Sequence, residues 1–205
     1  MSNYPSGNFL VLDFEATCSE NENRTVPTDE MEIIEIGAII LNPSLNIVSE
    51  FAHFVKPVRH PVLTDFCRTL TTIQQQDVNE AENFQKISAD LAFWAAEHDV
   101  TWWGSWGKYD RKQLTQDVSY HRLPDPLDYP HFNLKEDFSK AQGIKRRLGL
   151  AGALKFADLK FEGTAHRAID DARNICRLLP WIFGHNTVSK SKSFSATDIE
   201  EGKVK

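Results

Sequence analysis

Apolar residues along this chain fall first in short continuous runs and later at helical spacing. Residues 9–13 and 33–41 are such runs, the second rich in isoleucine, which predicts buried strands. Asn42-Pro43-Ser44 supplies turn chemistry and residues 47–55 return as a third strand, so an antiparallel hairpin is expected. From Pro61 the period changes. Val62, Leu63, Phe66 and Leu70 fall at helical spacing, as do Phe84, Ile87, Leu91 and Phe93-Trp94. Residues 100–103 read as a short buried strand ended by Gly104, 109–118 as a helix, and 129–134 as a weaker strand beside Pro130. Two more helices are expected at 148–159 and 168–179, the second stopped by Pro180. Strands first, then strands alternating with helices, predict an α/β fold with a mixed sheet flanked by helices.

The polar residues divide the chain. Residues 19–30 hold few apolar groups, and a connection that long is functional or disordered. It starts beside Glu15, so a flexible rim of a site is expected there. Residues 186–205 are rich in Ser and Lys and read as a disordered tail. The expected organisation is an extension at 1–8, one domain at 9–185 and the tail at 186–205.

Composition narrows the function classes. A chain of 205 residues, 41% hydrophobic and 25% charged, fits one globular enzyme domain. No apolar run reaches 18 residues, so no membrane span is expected. The first residues lack a charged and then apolar leader, which predicts an intracellular, cytoplasmic protein. Cys18, Cys67 and Cys176 are scattered, which argues for a reducing compartment and against structural zinc. The net charge of −6 opposes tight non-specific nucleic-acid binding, but carboxylates that hold metal count against that sum. Lys140, Lys145, Arg146 and Arg147 form a local basic patch.

Three constellations carry candidate chemistry. Asp13 and Glu15 are two apart at a strand end, and side chains alternate with period two, so both point one way. Paired carboxylates on one face call for a cation, and Mg²⁺ and Mn²⁺ prefer such hard oxygen donors. A strand end that meets solvent is the plain alternative. Asp110 follows a Trp-rich strand and a glycine turn, where open sheets present functional groups. It equally fits an acid at a helix N-terminus. His166 and Asp171 lie five apart, about 140° around a helix at about 100° per residue, so His166 must precede the helix to share a site with Asp171. Gly163 and Thr164 provide a flexible lead-in. A surface histidine before a capping Asp170-Asp171 pair is the alternative there.

Together, Asp13-Phe14-Glu15-Ala16-Thr17-Cys18, the mid-chain Asp110, and His166-Arg167-Ala168-Ile169-Asp170-Asp171-Ala172 resemble the DEDDh family of 3′–5′ exonucleases. Glu32-Ile33-Ile34-Glu35-Ile36-Gly37-Ala38 and Gly149-Leu150-x-x-Ala153-Leu154 look like connecting pieces of that family. The first motif is similar to the branch that trims histone-mRNA and small-RNA 3′ ends. The Trp106 to Asp110 spacing departs from some members of that branch.

The resemblance implies an RNase H-like fold, a mixed five-stranded sheet with helices on both faces. It implies that Asp13, Glu15, Asp110 and Asp171 hold two Mg²⁺ or Mn²⁺ ions, with His166 as general base and Asp170 outside the ligand set. Two such ions supply a nucleophile at neutral pH and relieve charge on the phosphorus. The implied reaction shortens single-stranded RNA, or DNA, from its 3′ end to nucleoside 5′-monophosphates. Phe14, Ala16, Thr17, Trp106 and His166 are the expected nucleotide contacts, with Trp106 as a stacking platform. Phe14 and Trp106 also fit core positions. Lys145, Arg146 and Arg147 are expected on upstream phosphates, although a charge run also fits a solvated face. A DNA proofreading or repair exonuclease uses the same residues, and a catalytically silent binding module would keep the fold without turnover.

Overall fold

The computed structural model describes residues 4–20 and 25–187. The expected tail from 188 onward, and residues 21–24 of the polar connection, lie outside the described residues. Five strands form one sheet: β1 (Asn8–Ala16), β2 (Ile33–Leu41), β3 (Ile47–Phe54), β4 (Val100–Ser105) and β5 (His131–Asn133). Their order is β3-β2-β1-β4-β5, antiparallel from β3 to β1 and parallel from β1 to β5. This is the mixed five-stranded α/β sheet that the family resemblance implies.

Side-chain alternation along β1 sorts the core into two layers. Leu10, Leu12 and Phe14 face one side with Phe84, Leu91, Leu114 and Val118, from α3 (Phe84–Glu97) and α4 (Tyr109–His121). Phe9 and Val11 face the other side, against α5 (Leu134–Ala141), α6 (Leu150–Phe156) and α7 (Ala168–Ile182). Asp13 and Glu15 continue that second row, so the chemistry lies on the α7 face.

Two short helices, α1 (Asp65–Thr71) and α2 (Gln75–Asn79), with the residues before each, pack Leu63, Cys67, Ile73 and Val78 against Ile34 of β2. Val62 and Phe93, expected among the apolar helix positions, are exposed instead. The β2–β3 turn closes through Asn42, whose side-chain oxygen accepts from the N–H groups of Ser44 and Asn46. The expected strand at 129–134 shortens to three residues, because Asn133 already caps α5 by accepting from the N–H of Glu136. The helix expected at 148–159 is confined to α6.

Pro180 does not stop the last helix. It lies inside α7, which runs on to Ile182. Proline removes one N–H, a modest loss two residues before a terminus, and the carbonyl of Leu179 still receives the N–H of Phe183. Residues 4–8 also belong to the fold rather than to an extension. Tyr4 packs 4.8 Å from Trp102 and 4.7 Å from Phe132 between ring centroids, and its hydroxyl donates to Asp137.

Candidate active site and metal centre

The site forms where β1 and β4 part. Parallel pairing between them ends at Val11 opposite Gly104, which leaves the last residues of β1 open on that side. The N–H of Phe14 falls in the opened stretch and donates to Asp110 Oδ1 at 3.2 Å. Asp110 occupies the first turn of α4 and is buried, so its carboxylate fixes that helix to the C-terminal end of β1. A register shift between Glu15 and Ala16 then bends the strand end, a common device beside functional sites.

Asp13 and Glu15 are 8% and 2% exposed and share the face beneath α7. α7 reaches them because of Gly37. Gly37 sits directly across from Asp13, and a Cβ there would lie 2.1 Å from the N of Ile169 and 2.2 Å from the carbonyl carbon of Ala168. The first turn of α7 therefore rests on the bare backbone of β2, and Asp171 belongs to that same turn. One ligand oxygen each from Asp13, Glu15 and Asp171 lies within 4.8 Å of the other two. Three carboxylates at that separation repel unless a cation lies between them, and an all-oxygen donor set suits a hard divalent ion. The residues fit a metal centre. Asp110 stands beside this trio through Phe14 rather than inside it.

His166 precedes α7, as sharing a site with Asp171 requires, with a left-handed backbone at φ +60°. Gly163 enters the same loop at φ +85°, where a Cβ would meet the Asp170 carboxyl carbon at 2.4 Å. Asp170 is thereby a loop anchor. It accepts from the N–H of Thr164 at 2.9 Å and from Arg173 at 3.1 Å, and Arg173 also grips Glu50 on β3.

The remaining expected contacts divide. Phe14 is fully buried on the opposite face, so its ring is removed from any nucleotide contact, for the same period-two reason that unites Asp13 and Glu15. Ala16 and Thr17 follow Glu15 directly and are buried, with the Thr17 hydroxyl accepting from the N–H of Glu32 at 2.9 Å. Trp106 is half-buried against Phe138, and its indole N–H donates to the Leu148 carbonyl at 3.2 Å. Lys145, Arg146 and Arg147 are exposed on the loop before α6, where Arg147 already pairs with Glu136 at 3.3 Å.

Sequence reading missed Glu35. It lies across from Glu15 on β2, is 3% exposed, and accepts from Arg167 and from the N–H of Ala168. The signal was present: one carboxylate inside an otherwise apolar strand must find a partner. A second buried acid, Asp117 on α4, accepts from the N–H of Ile33 at 3.1 Å and from Gln113 at 2.7 Å. Burial dominates there and pushes its carboxyl up to about 7. Gln113 and Gln116 also donate to the Met31 carbonyl, so α4 holds the end of the polar connection in place.

The sequence profile described as exonuclease (RNase T) matches residues 10–179. The chain belongs to the exonuclease family. It is 28% identical over 206 residues to the 3′-5′ exonuclease eri1 of Schizosaccharomyces pombe, which covers 86% of this chain and 68% of that protein. It is 33% identical over 195 residues to ERI1 exoribonuclease 3 of Homo sapiens, covering 90% of this chain but 56% of that one. Among solved structures, the nuclease domain of 3′hExo, a DEDDh family member bound to rAMP, superposes with a TM-score of 0.81 at 25% identity, over 91% of this chain and 96% of that domain. The exonuclease match begins one residue into the buried part of β1 and ends within α7, the two elements that carry the carboxylate trio.

Proposed function

We propose that this exonuclease shortens single-stranded RNA from its 3′ end, releasing nucleoside 5′-monophosphates, with two Mg²⁺ or Mn²⁺ ions held by Asp13, Glu15, Asp110 and Asp171. The convergence of the Asp13, Glu15 and Asp171 oxygens within 4.8 Å carries this reading. When bound, the ions supply a nucleophile at neutral pH and relieve charge at the phosphorus. His166 accepts the proton of the attacking water, a role suited to an imidazole, which ordinarily titrates near 6.5. Ala16 and Thr17 meet the terminal nucleotide from the strand end. Trp106 flanks it, while Lys145 and Arg146 meet phosphates upstream. RNA is favoured over DNA because relatives carry the name exoribonuclease and the 3′hExo domain binds rAMP. Among the described residues no helix is long and apolar enough to cross a membrane, and three scattered cysteines suit a reducing compartment such as the cytoplasm.

His166→Ala tests the assignment. The variant should lose most turnover, about 10²–10⁴-fold for a general base, while binding Mn²⁺ and AMP as the parent does. Lost Mn²⁺ affinity would make His166 a ligand instead of a base.

A further inference from the structure

We propose that Glu35 and Arg167 form a positioning pair that sets the loop carrying His166 for proton transfer. The inference rests on the assignment of His166 as the base, and deepens it by naming what holds that base still.

Glu35 is an expensive residue where it stands. A carboxylate in the interior of a sheet needs full compensation. It also faces Glu15 across the β1–β2 ladder, where like charges disfavour each other. Among the described residues the compensation comes from the start of α7. Arg167 Nε lies 3.2 Å from both Glu35 oxygens, Arg167 Nη2 is 2.9 Å from Oε1, and the N–H of Ala168 is 3.0 Å from Oε2. Two nitrogens of one guanidinium engage the carboxylate while a backbone donor completes it, which is a directional arrangement as well as an attractive one. Phe54 lies under the guanidinium at 5.2 Å and limits its movement. Held this way, Glu35 is turned toward α7 and kept out of the Asp13, Glu15 and Asp171 trio.

The consequence falls on residues 163–167. His166 keeps a left-handed backbone that L side chains rarely adopt, and such a conformation persists only when its surroundings over-determine it. Two anchors flank it. Thr164 is fixed two residues before it by Asp170, and Arg167 is fixed one residue after it by Glu35. The first anchor belongs to α7 itself, so it moves with that helix. The second ties the loop directly to β2, in the sheet that carries Asp13 and Glu15. The seat of α7 has an independent cause in the bare backbone of Gly37, so loosening Arg167 frees the loop without lifting Asp171.

The test compares Arg167→Gln, Arg167→Lys, Glu35→Gln and the double Glu35→Gln/Arg167→Gln in the full chain, with a single-stranded RNA oligonucleotide and Mn²⁺. Arg167→Gln should lower kcat at least tenfold, with KM and the Mn²⁺ dissociation constant within about twofold of the parent. Arg167→Lys keeps the charge without the fork and should recover part of the loss. Glu35→Gln can still accept from Ala168 and should match Arg167→Gln, with the double variant no worse than either single. The His166 ring signal in a ¹H–¹³C spectrum should be single in the parent and shifted or broadened in Arg167→Gln. That signal reports loop order whether or not His166 is the base. A His166→Ala enzyme that stays active sinks the base assignment, and the ring signal separately decides the positioning. An unchanged ring signal with unchanged kcat overturns the proposal. So does a raised KM at constant kcat, which makes Arg167 a substrate contact, and so does lost Mn²⁺ affinity, which makes the pair a seat for α7.

Discussion

Gly37→Ala is the smallest change that tests how the carboxylates are brought together. The new Cβ would stand 2.1 Å from the Ile169 nitrogen, whereas ordinary contact begins at 3.4 Å, so the start of α7 must retreat by about 1.3 Å. The atoms in the way are backbone, and the Glu35 bonds to Arg167 and Ala168 resist the retreat. Over-packing of this kind costs about 1–3 kcal/mol, and the fixed backbone places this site near about 3. At about 2–4 °C per kcal/mol for a chain of this size, Tm should fall by about 6–12 °C. Asp171 rides on the displaced turn. A misplacement near 1 Å costs on the order of 10²-fold in rate, so turnover should collapse in protein that is still folded at 25 °C, together with weaker Mn²⁺ binding by calorimetry. Parent-like Tm, Mn²⁺ affinity and turnover in Gly37→Ala would refute the claim that α7 is seated on this residue.

Further expectations can be checked on the same protein. Gly163→Ala forces an L residue to φ +85° and drives a Cβ into the Asp170 carboxylate. It should destabilise by about 1–3 kcal/mol and slow turnover while Mn²⁺ still binds, measured by thermal unfolding and calorimetry. Asp117 has a carboxyl raised from 3.8 to about 7, so its contribution is intact below about pH 4, where folded and unfolded chains are both protonated, and is lost as pH rises to about 7. The loss is about 4 kcal/mol at 1.36 kcal/mol per pH unit, so Tm of Asp117→Asn should gain on the parent between pH 4.5 and 7.5. Parallel Tm profiles would show that Asp117 is not held protonated. Trp106→Ala should raise KM for RNA if the indole is a stacking platform, and lower only Tm if its role ends at Phe138 and Leu148.

The clustered carboxylates and the position of His166 were readable because their constraints are local. Period-two alternation alone aligns Asp13 with Glu15 and sends Phe14 into the opposite layer, and His166 could share a site with Asp171 only from ahead of the helix. The sheet was readable for a similar reason, since 33–41 is apolar at nearly every position. What escaped depends on partners distant in sequence. Glu35 acquires its meaning from Arg167, 132 residues away, and Gly37 from the first turn of α7. The helices α2 and α5 are short, and α5 begins at the residue after β5 ends, so neither offers a long periodic signal. Pro180 shows the converse error: a local rule about helix breaking was overruled by a helix already packed along its length through Ile175, Leu178 and Leu179.

The most direct measurement of the central claim uses matched 5′-labelled single-stranded RNA and DNA oligonucleotides, with Mn²⁺ or with chelator, for the parent and for Asp13→Ala. A ladder shortening from the 3′ end, faster on RNA, is expected in the parent with Mn²⁺ and should be absent with chelator or in Asp13→Ala. A chelator-resistant ladder, or equal activity in Asp13→Ala, would contradict the metal centre, and no ladder on either strand would contradict the exonuclease activity.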